Sequence, residues 1–144
     1  MIRPTDPHEQ GSVTLFLLGL GVALLLLGGI ALDLWRLLGD RRELSSLADA
    51  AAIAATSGVD VDHFRETGVV SLDPSAVDVR IEDLLGAQPE ATHVGLSAPE
   101  VSFAVPGCDV AVRFERQFDF TLLAFGNADD ITLSATGCAT LTQG

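Results

Sequence analysis

Two cysteines, Cys108 and Cys138, are the residues of this 144-residue chain with the clearest potential chemistry, because two thiols can form a disulfide. The alternation of apolar residues after Cys108 points that side chain inward, whereas the alternation in the last apolar stretch points Cys138 outward. Regular antiparallel pairing does not join such positions, so the bond requires a bulge or a turn. Gly107 and Gly137 can supply one. We predict the disulfide; two buried thiols are the alternative.

No other group of side chains in the sequence matches a catalytic or metal-binding pattern. The three histidines are scattered, and none has the spacing of metal ligands. The segment that begins at Asp60 resembles a calcium loop, but Arg65 stands where that loop needs Gly and Ser71 where it needs Glu. We interpret this segment as a solvated helix start. The sequence therefore predicts a protein that is not an enzyme and has no metal or cofactor site, and an anchored hydrolase has little support.

The charge of the chain lies mainly in its C-terminal part. Residues 59–144 contain 14 Asp plus Glu and four Arg, and 4 minus 14 gives −10 of the net charge of −12. Such a surface repels the phosphates of nucleic acids. We therefore expect no nucleic-acid partner.

The element that organises the chain is the apolar run from Val13 to Leu32, which contains no charged residue. As a helix, this run spans about 30 Å, the thickness of the hydrocarbon core of a bilayer. A cleaved secretory signal is the alternative, but its apolar region is about 7 to 15 residues long. The sequence therefore predicts a retained transmembrane helix.

The helical pattern continues beyond this run without a helix breaker. Residues spaced alternately three and four apart form one face, namely Leu34, Leu37, Arg41, Leu44, Ala48, Ala51 and Ala55. We expect Leu37, Leu44, Ala48, Ala51 and Ala55 to pack against another helix or the chain's own domain. We predict one helix over residues 12–57, capped by Ser12 and ended by Gly58, after a disordered leader of residues 1–11.

Two smaller features of the helix suggest contacts within or beside the membrane. Gly19 and Ala23 are four residues apart, a spacing of small residues that lets helices approach closely. Asp33 and Arg36 are three apart at the edge of the apolar run, so they can pair on one helix face. Docking of this pair on a partner's helix is the alternative hypothesis.

The sequence predicts a small acidic domain over residues 59–144. Asp73 as N-cap, Pro74 in the first turn and Gly86 as terminator mark a helix whose apolar face is Val77, Ile81, Leu84 and Leu85. From about Thr92 the apolar residues alternate instead, in short stretches around Val94, Phe103, Val112 and Leu133. The expected fold class is α+β: a long transmembrane helix extended beyond the membrane, then helices packed on an antiparallel sheet of three or four strands.

Three stretches of the N-terminal segment carry a family resemblance. They are Gln-Gly-Ser-Val-Thr-Leu-Phe at residues 10–16, Ala-Leu-Asp-Leu-Trp-Arg-Leu-Leu at residues 31–38, and the Arg-Arg-Glu-Leu and Ala-Asp-Ala-Ala-Ala elements within residues 41–52. Over residues 10–58 the chain resembles the TadE/TadG-like proteins of tight-adherence (Flp) pilus assembly. The resemblance implies a non-enzymatic pilin-like or pilus-assembly component whose partners are membrane helices of the pilus or its assembly platform, with no small-molecule substrate.

The resemblance also bears on processing. Some relatives are cut by a prepilin peptidase after a glycine just before the apolar run, and Gly11 followed by Ser12 occupies that place. Pilin-like members have Glu five residues after the cut, where this chain has Phe16. The TadG-like branch, which lacks that Glu, is the closer match.

Two features disagree about the orientation of the chain in the membrane. A disulfide persists on the oxidising side, which places the C-terminal domain outside the cytoplasm. Only Arg3 precedes the apolar run, whereas Arg36, Arg41 and Arg42 follow it, and the side with more arginine is usually cytoplasmic. The cysteines and the resemblance favour a single-pass protein of the cytoplasmic membrane with an extracytoplasmic domain. A membrane-anchored binding or adhesion module unrelated to a filament is the alternative function.

Overall fold

The computed structural model describes residues 7–120 and 131–141, with side chains from residue 13 onward. The elements are α1 (Pro7–Ala55), α2 (Val61–Thr67), α3 (Pro74–Gly86), α4 (Glu90–His93), β1 (Glu100–Val105), β2 (Cys108–Phe118) and β3 (Ile131–Ala139). The fold is α+β, as the sequence predicts. The chain divides on α1, between Arg36 and Leu37, into two compact units.

In the first unit, α1 is an uninterrupted helix with an exposed apolar surface. Every residue of the run from Val13 to Leu32 is exposed except Gly29, and the next residue, Asp33, is also buried. The helix begins at Pro7 and not at the predicted Ser12, so residues 7–11 of the predicted leader are helical. Proline fits this position because it lacks the N–H that a helix start leaves unpaired.

In the second unit, the C-terminal part of α1 forms one wall of the hydrophobic core. Its buried residues are Leu44, Leu47, Ala48, Ala51, Ala52 and Ala55, which recur with the period of a helix. The opposite walls are Val77 and Ile81 of α3 together with Val110, Val112 and Phe114 of β2. The alanines matter because their short side chains let neighbouring elements approach the helix backbone.

The described residues contain one antiparallel sheet, in the order β1-β2-β3. β2 is the central strand, and its register pairs Val101 with Val112 on one side and Val112 with Gly137 on the other. The even-numbered residues of β2 from Val110 to Phe118 are buried, as the predicted alternation requires. The first predicted strand segment, around Val94, does not form. Gly95 adopts a φ of +68°, a left-handed conformation that interrupts an extended chain, and only an isolated bridge joins Leu96 to β2.

Side-chain caps explain where the short helices of the second unit begin. The Asp73 carboxylate accepts hydrogen bonds from the backbone N–H of Ser75 at 3.0 Å and from its hydroxyl at 2.8 Å, and Pro74 follows as the first helical residue. Asp60 caps α2 in the same way, accepting from the His63 N–H at 2.9 Å. The start of the calcium-like segment is therefore a helix cap, in agreement with its interpretation as a helix start.

Candidate functional site

The candidate interaction surface in the first unit is the exposed apolar part of α1, from Val13 to Leu32. Leu24, in the middle of the run, is 61% exposed, and Phe16 near its start is 70% exposed. The helix is long and apolar enough to cross a membrane. Exposing this many large apolar side chains to water would be very costly, so their natural surroundings are lipid tails or other apolar helices.

The small residues predicted to mediate helix contacts lie on this exposed part of α1. Gly19 and Ala23 are both exposed, and a Cβ placed on Gly19 would meet no atom within 4 Å. The helix therefore offers open space at the position where a neighbouring helix is expected. Within the described part of the first unit nothing occupies it, so the contact stays a prediction.

The membrane-boundary residues have contrasting environments. Asp33 is only 1% exposed, whereas Arg36 is exposed. A buried carboxylate beside an apolar run is costly without polar interactions, and both side chains take part in such interactions. Pairing of these two residues with each other stays a prediction.

In the second unit, the contact between α1 and the sheet depends on a glycine in β3. Gly137 lies opposite Val112 in regular register, and a Cβ built on it would overlap the backbone carbonyl group of Ala48 and approach Asp49 N within 2.6 Å. Only glycine leaves room for the helix backbone here. Gly137 therefore permits close helix–sheet packing, and it does not supply the bulge that was predicted for it.

The other residues predicted for helix packing differ in burial. Leu44, Ala48, Ala51 and Ala55 are fully buried in the core, but Leu37 is only half-buried. On the N-terminal side of Leu44 the predicted stripe reaches the surface, since Arg41 is exposed. The core therefore takes up the C-terminal half of the stripe.

A buried arginine also links α1 to the domain. Arg116 occupies an inward-facing position of β2 and is 6% exposed. Its Nη2 donates a hydrogen bond to the Thr92 carbonyl oxygen at 2.5 Å and lies 3.8 Å from a carboxylate oxygen of Glu43 on α1. This contact was not predicted from the sequence. The available signal was a charged residue continuing the inward series of Val110, Val112 and Phe114.

The predicted disulfide between Cys108 and Cys138 is present, with a Cα–Cα distance of 5.6 Å. The two residues are not register partners, because Cys108 pairs with Val105 and Cys138 with Ala111. Cys108 comes directly after a turn in which Gly107 has a φ of +85°, so the predicted turn lies at this end of the bond. The bond fixes the start of β2 to the end of β3, one residue from Gly137.

The His, Cys, Asp and Glu side chains of the described residues form no metal-binding cluster. No group of three or more His, Cys, Asp or Glu among them could hold a metal ion. Gly11 and Ser12, the candidate processing site, lie within α1 near its start. Asp129 and Asp130, which follow Gly126-Asn127 and for which the sequence favours a turn, lie outside the described residues.

The N-terminal segment matches a known family. Residues 11–59 match the family described as putative Flp pilus-assembly TadE/G-like. This segment is TadE/TadG-like. The match confirms the resemblance of residues 10–58 and ends just after α1. No curated protein and no solved structure matches the chain.

The match of this segment supports a general role associated with Tad/Flp pili. Together with the one apolar helix that is long enough to span a membrane among the described residues, the match supports a single-pass membrane protein. The segment includes Glu43, Leu44 and Ala48, which contact the C-terminal domain in the second unit. The matched segment therefore contains both the apolar run and residues of the core of the domain that follows.

Proposed function

We propose that the protein is a non-enzymatic component of a Tad/Flp-type pilus or a related secretion machine, acting as a minor pilin-like subunit or an assembly factor. The observation that supports this proposal most strongly is that the two parts of α1 have different environments. One part of the helix exposes an apolar surface, and the other part is buried in a folded domain. An enzyme would need a chemical centre, whereas this arrangement provides an anchor and a module attached to it.

The proposed mechanism is mechanical. The apolar part of α1 holds the protein in the cytoplasmic membrane and packs against helices of the pilus or its assembly platform. The Gly137–Ala48 contact and the Arg116–Glu43 pair attach the domain to the same helix.

We further propose that the acidic domain of residues 59–144 lies outside the cytoplasm. The disulfide supports this orientation, because such bonds persist in oxidising compartments. The arginines after the apolar run argue for the opposite orientation. Protease added to intact spheroplasts decides the question: digestion of the domain is expected, and protection until the membrane is permeabilised would reverse the orientation.

A deletion strain tests the pilus role. We expect loss of piliation, restored by the intact gene but not by a gene in which the segment from Val13 to Leu32 is replaced with a cleavable signal. The altered gene delivers the domain without its anchor, so it separates the need for the helix from the need for the domain. Normal piliation in the deletion strain would count decisively against the proposal.

The alternative function is a membrane-anchored extracytoplasmic binding or adhesion module. Co-purification separates the two functions, since a pilus component is expected in sheared pili or with the assembly platform. Mass spectrometry of the membrane-extracted protein adds the processing state. A mass that begins at Ser12 would show peptidase cleavage after Gly11, and a mass lower by two hydrogens would show the disulfide.

A further inference from the structure

Arg41 and Arg42 form an exposed basic pair on α1 that the proposed function does not use. Neither of them has an ion-pair partner among the described residues, whereas Arg65, Arg113 and Arg116 each lie within 4.0 Å of a carboxylate. The adjacent Glu43 is directed to Arg116, and Asp40 is half-buried. Two neighbouring guanidinium groups are therefore available to an external anion.

Their position along the helix places them near the membrane surface. Arg41 follows Leu32, the last residue of the apolar run, by nine residues on the same helix, a rise of about 14 Å. The headgroup layer extends about 5 to 8 Å beyond the hydrocarbon core. Side chains of an α-helix lean toward its N-terminus, which here is the direction of the membrane, and long arginine side chains extend their charge to the interface.

Trp35 independently marks the interface on this side of the apolar run. It is the only tryptophan of the chain and is 81% exposed. Tryptophan is enriched at the level of the lipid headgroups. Arg41 and Arg42 follow Trp35 by six and seven residues on α1, so they come next after this interfacial residue.

We propose that Arg41 and Arg42 bind the phosphates of anionic phospholipids at the membrane surface. Guanidinium groups bind phosphate oxygens in pairs of charge-assisted hydrogen bonds. A lipid is favoured over a protein partner because the pair adjoins the membrane-spanning run. The remainder of the soluble part is strongly acidic and repelled by the same lipids, so the pair would provide the local attraction. This inference depends on membrane anchoring and is independent of any role in a pilus.

Quenching of Trp35 fluorescence by brominated lipids tests the proposal on the full-length protein. The protein is reconstituted in phosphatidylcholine bilayers that contain brominated phosphatidylglycerol or, for comparison, brominated phosphatidylcholine. We expect the anionic lipid to be enriched beside Trp35 by about fivefold for each bound arginine. The R41Q/R42Q double variant should lose this enrichment. The matched R65Q/R80Q variant loses the same charge elsewhere and should keep it.

Three results would overturn the proposal: no anionic preference in the unmodified protein, an unchanged preference in R41Q/R42Q, or an equal loss in R65Q/R80Q. Intact disulfide formation shows that each variant has folded. If R41Q/R42Q fails to fold, salt provides the second measurement, because about 0.5 M salt shortens the screening length to a few ångströms. The preference of the unmodified protein must then fall, and persistence at high salt would equally refute the role of the arginines.

Discussion

The two parts of α1 differ in burial and in the size of their apolar side chains. From Val13 to Leu32 the helix presents large aliphatic side chains, and nearly all of them are exposed. From Leu44 to Ala55 its buried face contains four alanines and two leucines. Lipid adapts to any apolar outline, so the first part needs hydrophobicity alone. A sheet backbone cannot adapt in this way, so the second part needs small volumes at defined positions.

This difference predicts where the molecule tolerates change. Substitutions that preserve apolar character should be nearly neutral in the first part of α1. In the second part, a single added methyl group at the helix–sheet contact should be poorly tolerated, because interiors are close-packed. Unfolding of the domain can be measured on the full-length protein in detergent, by urea titration followed by a pulse of protease.

The largest effect is expected for Gly137→Ala. The new Cβ would overlap the backbone of Ala48, which no rotation of a side chain can relieve. We expect the free energy of unfolding of the domain to fall by about 4 kcal/mol or more. Gly86→Ala is the matched control, since a Cβ there meets no atom within 4 Å. Equal stabilities of the two variants would mean that α1 does not approach the sheet as closely as described.

Removal of the disulfide should have the next largest effect. It should lower the stability of the domain without changing the membrane anchoring of α1. The bond joins residues 30 apart in the chain, and the chain-entropy relation gives about 3 to 4 kcal/mol for a loop of that length. We expect the Cys108→Ser/Cys138→Ser variant to lose this much domain stability, measured by the same urea titration. Its resistance to extraction from membranes by carbonate should not change. A loss of anchoring together with the bond would contradict the separation of the two parts.

The same leucine-to-alanine substitution should have different effects in the two parts of α1. Leu44 is fully buried in the core, whereas Leu24 is 61% exposed. We expect Leu44→Ala to destabilise the domain by about 3 kcal/mol, because it leaves a cavity. Leu24→Ala should leave the urea midpoint of the domain unchanged. Similar midpoints for the two variants would show that the buried wall of α1 contributes little to the core.

Much of this architecture follows from local sequence signals. The uncharged run predicts the spanning helix, the spacing of Leu44, Ala48 and Ala51 predicts its buried face, and the Asp73-Pro74 pair predicts the start of α3. Each of these signals depends on residues close together in the chain. The strand predicted at Val94 was wrong because a short alternation does not outweigh a glycine in the left-handed conformation.

Long-range contacts could not be predicted in the same way. The sequence indicates that Gly137 allows an irregular backbone. Its actual role is to leave room for the helix backbone at Ala48, which lies 89 positions earlier, and this role is visible only in the folded chain. The same holds for Arg116, whose partners Thr92 and Glu43 lie on separate elements. For the candidate site, the sequence indicates which residues are apolar or small. The fold decides which of these residues are already buried in the core of the chain.

The smallest effect is expected at a position far from both parts of α1 in the sequence, the cap of α3. Hydrogen bonds from the Ser75 hydroxyl and backbone N–H hold the pKa of Asp73 below its ordinary value of 3.8. Because the pKa of Asp73 is lowered in the folded state, the charged cap stabilises the domain at pH values above the pKa of the unfolded chain. This stabilisation is lost as the pH falls through the pKa that Asp73 has in the folded state. Asp73→Asn retains a good capping residue without a titrating group.

The stability difference between the unmodified protein and Asp73→Asn should therefore be constant above about pH 5 and should shrink as the pH falls below 3.8. Urea titrations of both proteins across this range measure the difference, and the subtraction removes the contribution of every other carboxylate. Asp73 is half-buried and its hydrogen bonds lie at the surface, where solvent screens them, so we expect a smaller change than at Leu44. A difference that does not vary with pH would show that the cap acts through geometry and not through charge.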